Sequence, residues 1–91
     1  MSRISGKRAN FVWDPGSIGS NRTEDATFTM KGASLGDYVF VSANIDLENL
    51  NLYAHVEAKD TISIHLHNTT GGSKNLGEMR VNVTLVLEEV I

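Results

Sequence analysis

Apolar residues recur at every second position through two successive runs near the middle of the chain. Leu50, Leu52, Ala54, Val56 and Ala58 alternate with Asn51, Tyr53, His55, Glu57 and Lys59, and Ile62, Ile64 and Leu66 then alternate with Ser63, His65 and His67. A period of two sends successive side chains to opposite sides of an extended backbone, so each run predicts a strand with one dry and one wet face. The polar Lys59-Asp60 break predicts a hairpin between them. With a three-residue connection Ala58 opposes Ile62, which sets His55 opposite His65 and Tyr53 opposite His67 and gathers all three histidines on one exposed surface.

The same reading extends along the chain. Ala26, Phe28 and Met30 alternate with Thr27, Thr29 and Lys31 and predict a strand. Tyr38 to Ala43 is apolar on both sides and predicts a central or interface strand. Met79, Val81, Val83, Leu85 and Leu87 predict a long strand toward the C-terminus, and the Gly-containing stretch from Asn68 to Glu78 predicts a flexible hairpin connection. No segment sustains a helical period. Six or so short strands separated by turn residues predict an all-β chain, a small β-sandwich or jelly-roll-like barrel over residues 25–91. Residues 1–24 are rich in Gly, Ser, Asn and Arg and predict an extended N-terminal arm.

The length of 91 residues supports one core. Cysteine is absent, so neither a disulfide framework nor a thiolate metal site is available. The polar, basic start of the chain resembles no secretory signal or membrane span, and no membrane association is expected. Charge is uneven. Arg3, Lys7, Arg8 and Arg22 against Asp14 give residues 1–22 a net +3, and the rest of the chain carries −6. A basic arm on an acidic body predicts attachment to an acidic protein surface through Arg3, Lys7 and Arg8, with a solubilising tail as the simpler alternative and too few bases for nucleic acid to be the expected partner. Phe11 and Trp13 either fold back onto the body as a short strand or anchor in a partner's pocket. Surplus apolar residues at Val86, Val90 and Ile91, on a terminal strand read as an unprotected edge, together with Tyr38 and Phe40 on the two-faced strand, predict a subunit interface.

Catalysis has no visible carrier. No serine sits in a nucleophile elbow, and the acids Asp37, Asp46, Asp60 and Glu78 fall at turns, where carboxylates hold local backbone. The loop Asn68 to Lys74 lacks the spacing of a phosphate cradle. His55, His65 and His67 offer the alternative of a transition-metal site, against the simpler reading of polar residues on a half-exposed sheet. No metal and no cofactor is expected, and the chain is not read as an enzyme.

The order Trp13-Asp14-Pro15-Gly16-Ser17-Ile18, Lys31-Gly32-Ala33-Ser34-Leu35-Gly36-Asp37, Ala58-Lys59-Asp60-Thr61-Ile62-Ser63-Ile64 and Asn68-Thr69-Thr70-Gly71-Gly72 resembles small bacteriophage virion proteins. The resemblance covers most of the chain from Trp13 onward, and its motifs are turn and strand signatures without catalytic content. It implies an all-β module on the virion surface, assembled in the host cytoplasm. The expectation is a capsid decoration or cement protein that forms a homotrimer and binds the major capsid protein over the junctions between capsomers. A tail-fibre or spike module, with the histidines holding an axial metal, is the alternative. A carbohydrate-binding module using Tyr38, Phe40 and Tyr53 is a third reading.

Overall fold

A computed structural model describes residues 6–87 of the chain. It is all-β, with no helix among the described residues. Six strands run in the order β1 (Gly6–Trp13), β2 (Thr23–Thr29), β3 (Tyr38–Ala43), β4 (Asn51–Ala58), β5 (Thr61–His67) and β6 (Met79–Val86). They form two antiparallel three-stranded sheets with strand orders β1-β6-β3 and β2-β5-β4. The arrangement is sandwich-like, because one apolar cluster joins Ile62, Ile64 and Leu66 of β5 to Met79, Val81, Val83 and Leu85 of β6. Each fully buried aliphatic side chain stabilises the folded state by roughly 1.5–3 kcal/mol. The two central strands therefore dominate the core.

The alternation predicts the inner rows of β2, β4, β5 and β6, and the structure differs from the sequence expectation in four places. First, residues 6–13, expected as part of an extended arm, are a full strand paired along its length with β6. Phe11 and Trp13 point inward and pack on the core, with the Phe11 ring 4.5 Å from that of Phe28 on the other sheet. Lys7 is next in the same row but exposed, and its Nζ donates to the Lys31 carbonyl at 2.9 Å. Arg3 lies outside the described residues.

Second, β6 is the centre of its sheet and not an unprotected edge: Val86 lies between Gly6 on one side and Tyr38 on the other. Third, β3 is an edge strand with only its Val39 and Val41 side covered; Tyr38 and Phe40 are about three-fifths exposed, at 60% and 61%. Fourth, the hairpin uses the two-residue turn Lys59-Asp60, with Ala58 paired to Thr61 and a bulge between Val56 and Ala58. Asp60 adopts a left-handed φ of 60°, which a short carboxylate side chain tolerates. Tyr53 is consequently opposite His65, His55 opposite Ser63 and Asn51 opposite His67. From Asn51 to Val56 the slip is by two residues, so those side chains keep their face, whereas Ala58, past the bulge, is paired with Thr61 on the outward side and is exposed.

The connection from Asn68 to Glu78 crosses from one sheet to the other instead of closing a hairpin. It is pinned by reciprocal main-chain bonds between Ile18 and Lys74, at 2.7 and 2.9 Å, and by the buried side chain of Asn68. Two of the turn carboxylates hold local backbone as expected, Asp37 accepting from the Ser34 amide and Asp46 from the Glu48 amide, whereas Asp60 accepts from the Gly32 amide 28 residues earlier and so ties two turns together.

Candidate functional site: two outer sheet faces

Strand alternation leaves each sheet with an outward row set, and the two sets differ in chemistry. On the β1-β6-β3 sheet the cross-strand register aligns Tyr38 with Val86 and Gly6, then Phe40 with Thr84 and Arg8, then Ser42 with Asn82 and Asn10. Val12 and Arg80 form the next row, with Asn44 fixed beside Arg80 by main-chain and side-chain bonds of 3.1 and 2.8 Å. No acid occupies an outward position on these three strands. Glu78, just before β6, lies at the rim in a shallow depression shared with Val12 and Arg80, and a second depression is lined by Arg8, Asn10, Asn82 and Thr84. This basic face presents Tyr38, Phe40 and Val12 to solvent, the last 62% exposed. Aromatic rings beside guanidinium groups are the side chains that protein contacts favour at their centres.

On the β2-β5-β4 sheet the aligned rows are Thr23, His67 and Asn51, then Asp25, His65 and Tyr53, then Thr27, Ser63 and His55. This histidine face has its polar groups engaged with one another. His65 Nδ1 and Asp25 Oδ1 are 2.5 Å apart, and His65 Nε2 is 3.0 Å from His55 Nδ1. The two imidazoles are within 4° of parallel with centroids 5.0 Å apart, and the Tyr53 ring lies 4.8 Å from that of His65. His67 Nδ1 is 2.7 Å from Thr23 Oγ1. Asp25 and Glu57 are acids on this face, and no Lys or Arg occupies an outward strand position on it; Arg22 and Lys59 flank it at turns.

Chemically, the carboxylate fixes the order of donors. Asp25 accepts from His65 Nδ1–H, which leaves His65 Nε2 as acceptor for His55 Nδ1–H when both rings are neutral. The ring nitrogen that a nucleophile's proton would need is taken by His55. Metal ligation would compete with the same bonds, and among the described residues no group of three His, Cys, Asp or Glu side chains is arranged to hold an ion. Only two imidazoles meet; His67 stands apart on Thr23.

Of the side chains expected to bind a partner or a second subunit, Arg8, Tyr38, Phe40 and Val86 meet on the basic face, although they come from three strands distant in sequence. Lys7, Phe11 and Trp13 do not join them, and Val90 and Ile91 lie outside the described residues. Tyr53 is on the other sheet from Tyr38 and Phe40, so the three aromatics of the carbohydrate reading do not share a platform. Val12, Arg80 and Asp25 were missed as site residues. Their outward parity is legible in the strand alternation, but which strands lie side by side is not. No family model, curated protein or solved structure matches the chain.

Proposed function

We propose that this chain is a bacteriophage virion structural protein of the capsid-decoration kind, which docks on an acidic protein surface of the shell through its basic face. The observation that carries the reading is that face itself: Arg8 and Arg80 beside exposed Tyr38, Phe40 and Val12, with no acid on its strands. The turn and strand motifs supply the virion setting. Three strands at about 4.8 Å and eight residues at about 3.3 Å make a face of roughly 14 by 27 Å, or about 400 Å², half of what one partner contributes to a standard interface. A single copy therefore binds weakly. Many copies acting together on a repetitive shell convert weak contacts into effectively intramolecular ones.

Co-sedimentation with empty capsids tests this. Wild-type protein should pellet with the shell in a salt-sensitive manner, and Arg8→Glu with Arg80→Glu should weaken binding by roughly tenfold or more. Unchanged binding by that double variant would remove the basic face from the attachment.

A further inference from the structure

The two outer faces of the sandwich-like fold are complementary in charge and lie on opposite sides of one molecule. The basic face carries Arg8 on β1 and Arg80 on β6, a formal +2. The histidine face carries Asp25 on β2 and Glu57 on β4, a formal −2 while its imidazoles are neutral. Each also presents aromatic surface: Tyr38 and Phe40 on one, Tyr53, at 48% exposure, on the other. We infer that the histidine face of one copy docks on the basic face of the next, a head-to-tail contact that acid releases. This rests on the reading of the basic face as a docking surface and names a second copy of the chain as its partner.

Three physical consequences follow from the geometry. A contact between different faces of two copies is heterologous, and faces on opposite sides of a sandwich propagate an open row instead of closing into the trimer expected from the sequence. The area is small, about 400 Å² a side, so the contact is transient in dilute solution and is populated at high protein concentration; a copy whose basic face is on the shell still offers its histidine face to a further copy.

Acid acts through the partner groups of the histidine face. His65 faces Asp25 from β2 and Tyr53 and His55 from β4; His67 faces Thr23; Glu57 follows His55 on β4. Across the contact they meet Arg8, Arg80 and Tyr38, with Glu78 and Asp37 at the rim of the basic face and Arg22 and Lys59 at the rim of the histidine face. One proton is accommodated, because His65 then donates to both Asp25 and His55 Nδ1. A second makes donors of both nitrogens of the His55–His65 bond and breaks it. Full protonation of the three imidazoles turns the face from −2 to +1, the same sign as the surface it would meet.

The test uses two surface variants. Isotope-labelled Arg8→Glu/Arg80→Glu protein keeps its histidine face, and unlabelled Asp25→Lys/Glu57→Lys protein keeps its basic face. Mixed at about 1 mM near neutral pH, where a contact of this size registers, they should shift amide resonances of β2, β4 and β5 in the labelled protein. The shifts should vanish when the added protein is also Arg8→Glu/Arg80→Glu, and be lost near pH 5. Absence of shifts at neutral pH, or shifts that persist with that added protein or at pH 5, would overturn the inference. Sedimentation of the unmodified chain is a second readout: an average mass rising past the dimer with concentration at neutral pH supports the row, and a concentration-independent mass overturns it. Capsid binding is measured separately, so loss of self-docking with retained shell binding disproves this contact and leaves the docking surface standing.

Discussion

The side-chain amide of Asn68 donates to the main-chain carbonyl of Ile18, fifty residues earlier, at 2.8 Å. The same Nδ2 donates to the Gly72 carbonyl, while Oδ1 accepts from the amide and hydroxyl of Thr70. Asn68 is fully buried, so one side chain ties the loop before β2 to the crossover before β6. Asn68→Ala should cost about 3 kcal/mol, since it removes four bonds made by a fully buried side chain and leaves a cavity in its place. A urea unfolding curve reads this directly. Asn68→Asp should be worse at neutral pH, because a carboxylate cannot donate and faces two carbonyl oxygens. Burial and that repulsion raise the folded-state pKa of the new acid above its unfolded value, so the variant should regain stability as pH falls and lose it as pH rises through that raised value.

The importance of Asn68 is invisible in the sequence, where it opens a run of turn-forming residues. Alternation reports which way a side chain points and nothing about which strands are neighbours. That is why the inward sets of β2, β4, β5 and β6 are legible, whereas the central position of β6 is not: its partners β1 and β3 lie far away along the chain. β1 hides because its inward row begins with the exposed Lys7 and the small Ala9 before reaching Phe11 and Trp13. β3 reads as two-faced because Tyr38 and Phe40 are outward and apolar, the signature of a contact surface as much as of a central strand. The hairpin register fails at the bulge before Ala58, which no glycine announces.

The Asp25–His65–His55 chain makes a prediction about protons. At neutral pH both histidines should carry hydrogen on Nδ1, since Asp25 can only accept and His65 Nε2 is then the acceptor for His55. Long-range proton–nitrogen spectra of the imidazoles distinguish this from the opposite tautomer. Asp25→Ala should release the constraint and mix the tautomers of both rings. Because Asp25 is 59% exposed, the stability change should stay below about 1 kcal/mol. A chelator should leave the melting temperature unchanged; a fall of several degrees on chelation would instead reveal a metal-dependent fold.

Gly32 has a φ of 94°, and a Cβ placed there would stand 2.5 Å from Lys7 Nζ. The obstructing atom is the end of a flexible side chain, so it can move; the backbone cannot easily change sign. Gly32→Ala should therefore cost about 1–2 kcal/mol, mostly from the left-handed conformation. A double-mutant cycle with Lys7→Ala separates the two causes. The coupling should be small, about 0.5 kcal/mol or less, and a coupling near the full cost of Gly32→Ala would show that the clash dominates.

Stepwise N-terminal deletion separates attachment from folding. Removing residues 1–5 takes away Arg3 and spares every rung of β1, so stability should change by less than about 0.5 kcal/mol. Removing residues 1–10 is a different matter, because Gly6–Asn10 are five of the eight β1 residues paired to β6. The lost bonds and the uncovered end of the core are partly offset by five residues that no longer have to be ordered, leaving a loss of about 2–3 kcal/mol. Removing residues 1–13 also takes Phe11 and Trp13 and exposes the core side of β6, and it should abolish cooperative unfolding. Capsid binding measured on the 1–5 deletion then isolates Arg3. If binding and its salt dependence persist there but fall in the full chain bearing Arg8→Glu, attachment belongs to the sheet face and not to the residues that precede it.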